Sequence, residues 1–417
     1  MKKSVLLMTL MALSSLAQAE VWRETQSWND EWEKKFSEWV KSPAVYKEMF
    51  VSPNSRYKGI IADCADVAYA FRVIFSYENG LAFSAKNPVA SASSSLKVFS
   101  NRMNRFDDVK DPDKRVVTFI NYLNQSLGTE TLAANDSYPL KLDRLNSGDF
   151  YLYKVMKNGT PVRHNYNIKQ IDRKGNFDLI YSTQAIRDNR QAMMQRQKDL
   201  YNAPVTYKWG FRRYDAADSQ DAQKSTLIKT ENSFEQYTLA AQLGERAFFA
   251  HVKSQVAKEI DTSEARMKRQ LKEACDQLQE RIDVVAKGLK HQKELGGKCM
   301  NPEEYDTHST PSRDGRLKDM LNNIELDFKD LTASQKNELA GSTLTLLEGL
   351  TAKDPASSVL IELTTFCPVS YREGMVVNMR EIRERIAKGL LSSHPNDSVE
   401  ARWGEKVNAK TKCPAHY

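Results

Sequence analysis

Past its first residues the chain holds no apolar run approaching the ~18 residues that a membrane-spanning helix needs, so a helical membrane protein is excluded. It has no Gly-rich phosphate loop and no Gly-x-Ser-x-Gly elbow, and neither a nucleotide-dependent enzyme nor a serine hydrolase is indicated. Histidine is scarce. The six in 417 residues are scattered without metal-ligand spacing, so no metal site is expected. Cysteine is scarcer, with five, and none lies close behind the N-terminus where a lipid anchor would attach. Nor is there much excess charge. A formal net charge of +7 over such a length is weak support for nucleic-acid binding and suits anionic envelope polymers a little better.

What the sequence does have begins with an export signal. Lys2 and Lys3 precede a short apolar run over residues 5–16, and Ala17-Gln18-Ala19 is a small-x-small cleavage site. Residues 1–19 are expected to be removed, which leaves Glu20 as the first residue of a periplasmic or secreted protein. With 41% hydrophobic and 28% charged residues, the remainder has the composition of a folded globular chain. Its length suggests two or three domains of ~150 residues each.

The cysteines divide unevenly. Cys275, Cys299, Cys367 and Cys413 fall in the last third, and in an oxidising compartment four such thiols read as two disulfides. An unbroken helix over 275–295 would rise about 30 Å, whereas the few residues from there to Cys299 reach back only about 14 Å. A Cys275–Cys299 bridge is thus disfavoured, and the two other pairings stay open. Cys64 remains as the odd thiol. His164 is the one histidine before His251, and a Cys/His pair is the minimum for thiol nucleophilic catalysis.

Trp28, Trp32, Phe36 and Trp39 recur at helical spacing and predict a packing helix rather than a ligand platform. Asp63 is a natural N-cap for a helix continuing over 65–77, with Cys64 in its first turn and Glu78-Asn79-Gly80 as its stop. Residues 87–100 read as a loop and 112–127 as a second helix. The period then changes to two, predicting antiparallel strands over 150–156, 164–171 and 177–183 with Gly-containing turns between them. Helices followed by a sheet indicate an α+β fold. Later residues read as helical over 234–259, 263–295, 316–331, 333–350 and 374–391. The expected division is a signal at 1–19, an α+β domain at 20–215 and a mostly α-helical domain at 216–417.

A thiol in the first turn of a helix faces free N–H groups and the positive end of the helix dipole. Both stabilise a thiolate, and the same N–H groups can hold a tetrahedral oxyanion. His164, opening a strand later in the chain, would supply the base, in the order Cys, His, polar orienter. Three blocks carry a resemblance: Asp63-Cys64-Ala65-Asp66 opening a buried helix, Gly148-Asp149-Phe150-Tyr151-Leu152-Tyr153 as a strand, and His164 opening the next. Together, over roughly residues 55–185, they resemble the NlpC/P60 superfamily of papain-like cysteine peptidases. There are departures. Ala65-Asp66 stands where that family has Ser-Gly, and its upstream aromatic-Gly-Gly segment is reduced to Tyr57-Lys58-Gly59. The third catalytic position is no clear His, Asn or Gln, which leaves Asn176, Asp178 and Tyr181. Cys64-Ala65-Asp66 with Ala68 and Arg72 is also similar to the Cys-x-Asp helix of bacterial transglutaminase-like proteins, with Asp178 two positions early for that pattern.

The resemblance implies a papain-like domain with Cys64 as nucleophile, His164 as base and Asp178 as orienter. It places Tyr57 and Asp63 at the substrate, and it implies cleavage of amide bonds in cell-wall stem peptides without a cofactor. Peptidoglycan peptides or another envelope protein are the expected partners. The alternatives are a transglutaminase-like protease or acyltransferase, and a non-catalytic envelope scaffold or binding protein.

Overall fold

The computed structural model describes residues 20–157, 160–182, 192–197, 200, 205–215, 231–406 and 410–416. The predicted export signal lies outside the described residues. The fold is α+β, as expected. The chain divides into two compact units. The first comprises Met1–Gln170, Leu179–Arg196 and Ala203–Gly244; the second comprises Ile171–Asp178, Gln197–Asn202 and Glu245–Tyr417. The boundary therefore falls at 244/245 rather than at 215/216, and the chain enters the second unit twice before staying there.

The first unit opens with α1 (Asp30–Lys41), capped by Asn29, and α2 (Cys64–Glu78), capped by Asp63. Every residue of α2 from 65 to 76 is buried, so this helix is the centre of the core and not a surface element. Phe36 and Trp39 of α1 pack on Phe75 and Phe71 with ring centroids 5.4 and 6.1 Å apart. The tryptophan stripe is thus packing, as its spacing predicts. Short strands β1 (Ser84–Lys86) and β2 (Val98–Ser100) pair antiparallel, the second within the stretch read as loop. Then follow α3 (Pro112–Asn124) and the short α4 (Thr129–Ala134).

The main sheet contains β3 (Ser137–Pro139), β4 (Phe150–Lys157), β5 (Thr160–Ile171), β6 (Phe177–Tyr181), β7 (Met194–Gln197) and β8 (Gly210–Tyr214). Its order is β3-β8-β4-β5-β6-β7. The predicted meander is its β4-β5-β6 centre; β8 returns antiparallel beside β4 and brings β3 into the sheet. One face carries Phe150, Leu152, Ile180 and Tyr214 against α2 and α3. The other carries a layer of aromatic rings that includes Tyr151, Tyr166, Tyr181 and Phe211. Lys169 of β5 reaches the end of α1, where Nζ donates to the carbonyl oxygens of Val40, Ser42 and Val45 at 2.6, 2.6 and 2.7 Å. A buried ammonium there meets the negative end of the helix dipole and satisfies the Val40 carbonyl, which the helix leaves unpaired. Helix α5 (Glu235–Leu243) closes this unit.

The second unit is mostly helical: α6 (Glu245–Val256), α7 (Ser263–Glu294), α8 (Pro302–His308), α9 (Pro311–Asp330), α10 (Ala333–Asn337), α11 (Gly341–Thr351) and α12 (Ser357–Phe366). A hairpin of β9 (Val369–Arg372) and β10 (Met375–Val377) leads to α13 (Met379–Ala387) and α14 (Val399–Arg402). Two long predicted helices are interrupted, and a third starts late. Gly244, at φ +73°, parts α5 from α6. Residues 338–340 part α10 from α11, and Gly374, also at φ +73°, makes the β9–β10 turn where a helix start was expected. The disulfides are Cys275–Cys367 and Cys299–Cys413, one of the two pairings that helix length leaves open. No helix among the described residues is long and apolar enough to cross a membrane.

Candidate functional site at the start of α2

Asp63 accepts the Ala65 N–H at 3.1 Å and the Asp66 N–H as well, while Asp66 Oδ2 accepts the Asp63 N–H at 2.9 Å. This is a reciprocal capping box. It holds the helix start in place, and it also occupies the Ala65 and Asp66 N–H groups, two of those that a thiolate or an oxyanion could use. Cys64 Sγ lies 3.4 Å from the hydroxyl of Thr129, the first residue of α4.

The thiol is not activated. Burial, followed by the negative charge of Asp63, pushes it up to about 12. Burial also raises both neighbouring carboxyls, that of Asp66 well above the ordinary range. The helix dipole predicts the opposite direction for Cys64. It is outweighed because the sulfur is desolvated and the nearest charges are carboxylates.

The central strand meets this helix start through asparagine, not histidine. Asn165 Nδ2 donates to the carbonyl oxygen of Cys64 at 3.1 Å and to Asn167 Oδ1 at 3.1 Å. Asn167 in turn donates to the Ile180 carbonyl at 3.2 Å. Successive residues of a strand point to opposite faces, so Asn165, Asn167 and Lys169 face the helices and His164 faces away. The His164 ring sits in the aromatic layer, with centroids 4.5 Å from Tyr166, 5.5 Å from Tyr181 and 5.7 Å from Tyr153. The expected Cys64–His164 pair is therefore not assembled, because the parity of β5 carries the imidazole to the wrong side of the sheet.

The remaining expectations also shift. Tyr181 shares the His164 face, so alternation along β6 puts Asp178 on the opposite one, and Asp178 does not orient His164. Tyr57 donates to Glu78 Oε1 at 2.6 Å. Glu78 ends α2, about 21 Å from Cys64 at 1.5 Å per residue, which removes Tyr57 from any substrate subsite at the thiol. Asp63 does lie beside Cys64, as a cap. Arg72 stacks over Trp28, Cζ 3.3 Å from the ring centroid, and pairs with Glu33, so it ties α2 to α1.

Next to Thr129, Glu130 gathers three cations that the sequence reading did not single out. Lys208 Nζ, Arg163 Nε and Lys154 Nζ stand 2.8, 2.7 and 3.3 Å from its carboxylate. Lys154 and Arg163 are cross-strand partners on β4 and β5, a pairing that could be read only after the register was known. Among the described residues no group of three His, Cys, Asp or Glu side chains is placed to hold a metal ion. Compared with known protein families, with curated proteins and with solved structures, the chain finds no match in any of the three.

Proposed function

We propose that this is an exported binding protein whose first unit keeps a papain-like layout without the hydrolytic chemistry. The layout is the one the sequence resemblance implies: a cysteine at the start of a buried helix, laid on an antiparallel sheet. The observation that carries the reading is the bond from Asn165 to the Cys64 carbonyl, with His164 on the other face. Thiol hydrolysis needs a base within hydrogen-bond reach of the sulfur and donors for the oxyanion. At Cys64 the partner of the sulfur is a threonine hydroxyl, and two of the helix-start donors, the Ala65 and Asp66 N–H groups, are engaged by Asp63. Two disulfides suit an oxidising compartment outside the cytoplasm. Peptidoglycan peptides or another envelope protein are the partners this reading favours.

Incubating the oxidised protein with purified peptidoglycan tests it. Stem peptides should stay uncut while the protein co-sediments with the wall. Release of cut peptides that is lost in Cys64→Ala would overturn the reading in favour of a cysteine hydrolase. New amine adducts would favour the transglutaminase-like alternative.

A further inference from the structure

The first unit turns outward a patch that its core does not use. Tyr207 is 70% exposed and Phe234 is 55% exposed. Their ring centroids lie 5.8 Å apart at an interplanar angle of 39°, and both contact Tyr237, at 5.7 and 6.1 Å. Exposed aromatic side chains in mutual contact mark an interaction site more often than a bare surface. Tyr207 and Phe234 are each more than half exposed, so what they offer a ligand is ring faces.

Charge lies immediately beside them. Lys208 follows Tyr207 in the chain, and with Lys154 and Arg163 it converges on the single carboxylate of Glu130. Three cations against one anion leave a local excess of positive charge. All four side chains are about one-third exposed, so a ligand can reach them.

We propose that this surface binds an anionic polysaccharide, with pyranose C–H faces stacked on Tyr207 and Phe234 and sugar carboxylates held by Lys208, Lys154 and Arg163. The proposal rests on the binding reading of the first unit and gives it a further ligand class, at this surface and apart from the peptide or protein partners of the start of α2. A folded protein partner is disfavoured, since a stable interface needs roughly 800 Å² per side and two rings supply a small part of that. A peptide's apolar side chains prefer pockets. A polymer that repeats its contact needs only a flat apolar platform and a charge next to it.

The test uses the oxidised mature protein, immobilised, with polygalacturonate, neutral dextran and polyglutamate as probes. Polygalacturonate should bind and dextran should not, with affinity falling as salt is raised. Tyr207→Ala/Phe234→Ala and Lys154→Gln/Lys208→Gln should each weaken polygalacturonate binding at least about tenfold, while retaining the wild-type circular dichroism. The ring substitutions should leave any polyglutamate binding unchanged. Wild-type affinity in the ring variant, or no preference for polygalacturonate over dextran, would overturn the proposal. Ring-dependent binding of polyglutamate in preference to polygalacturonate would overturn it in favour of an acidic peptide. The outcome is separable from the peptidoglycan digestion: peptide release tests the chemistry at Cys64, and ring dependence tests this surface.

Discussion

Asn165 Nδ2 and the carbonyl oxygen of Cys64 stand 3.1 Å apart, and this bond decides which side chains of β5 face the helix. A one-residue slip of the strand would exchange Asn165, Asn167 and Lys169 for His164, Tyr166 and Ile168. Three bonds from Lys169 to the end of α1 oppose such a slip at the other end of the same face. The parity is pinned at both ends.

The first prediction concerns thiol reactivity. A thiol pushed up to about 12 by burial and by Asp63 carries almost no thiolate at neutral pH. Alkylation of Cys64 by iodoacetamide at pH 7 is expected to be at least about a hundredfold slower than that of free cysteine, whose pKa is ~8.5. The rate should still be climbing at pH 10, because the thiolate fraction grows until pH passes the folded value. His164→Ala should leave it unchanged. Asp63→Asn keeps the cap but removes the main opposing charge, so it should label faster. Rapid labelling at pH 6 that His164→Ala abolishes would mean that the pair meets after all.

Lys169 carries a stability prediction. Lys169→Met removes the donor to three carbonyls at and just after the end of α1 and leaves those of Val40 and Val45 buried without it. Each such loss costs about 1–3 kcal/mol, so a decrease of about 2 kcal/mol or more is expected in urea unfolding. Lys169→Arg, which keeps the charge, should recover part of it. A decrease below about 1 kcal/mol would show that the carbonyl cage contributes little.

Asp136 makes stability depend on pH. Burial pushes its carboxyl up to about 6, against bonds from Tyr69 Oη at 2.7 Å and the Lys86 N–H at 2.9 Å. The folded value lies above the unfolded one of ~3.9. The folded state therefore holds the proton more tightly, and this contribution is complete below about pH 4 and lost as pH rises through 6. Asp136→Asn mimics the protonated acid. Relative to that variant, the wild type should lose about 2–3 kcal/mol between pH 4 and pH 7. Parallel denaturation curves at the two pH values would contradict this.

Elements set by neighbouring residues can be read from the sequence. The start of α2 needs only the Asp63 cap and its end only Glu78-Asn79-Gly80, and both lie where expected. Gly244 could not be read as a break, since a lone glycine in an apolar helical pattern is tolerated and only its positive φ divides α5 from α6. The parity of β5 was hidden for a different reason. By hydrophobicity, His164, Tyr166 and Ile168 make the better inward set, and Asn165, Asn167 and Lys169 read as the wet face. Both faces are in fact buried, and the polar set is inward because backbone carbonyls of α1, α2 and β6 accept its hydrogen bonds. Those acceptors lie far away in sequence, so no local pattern announces them. The same distance hides the meeting of Glu130 with Lys208.

The first early visit of the chain to the second unit is completed by residues far along the sequence. The turn after β5 belongs to that unit: the Arg173 carbonyl accepts the N–H groups of Lys258 and Glu259, and Glu259 pairs with the Arg173 side chain. As the polypeptide emerges from its N-terminus, this turn must wait for residues made more than eighty positions later. Truncation at 215 or at 244 would therefore strand a turn that the missing residues complete.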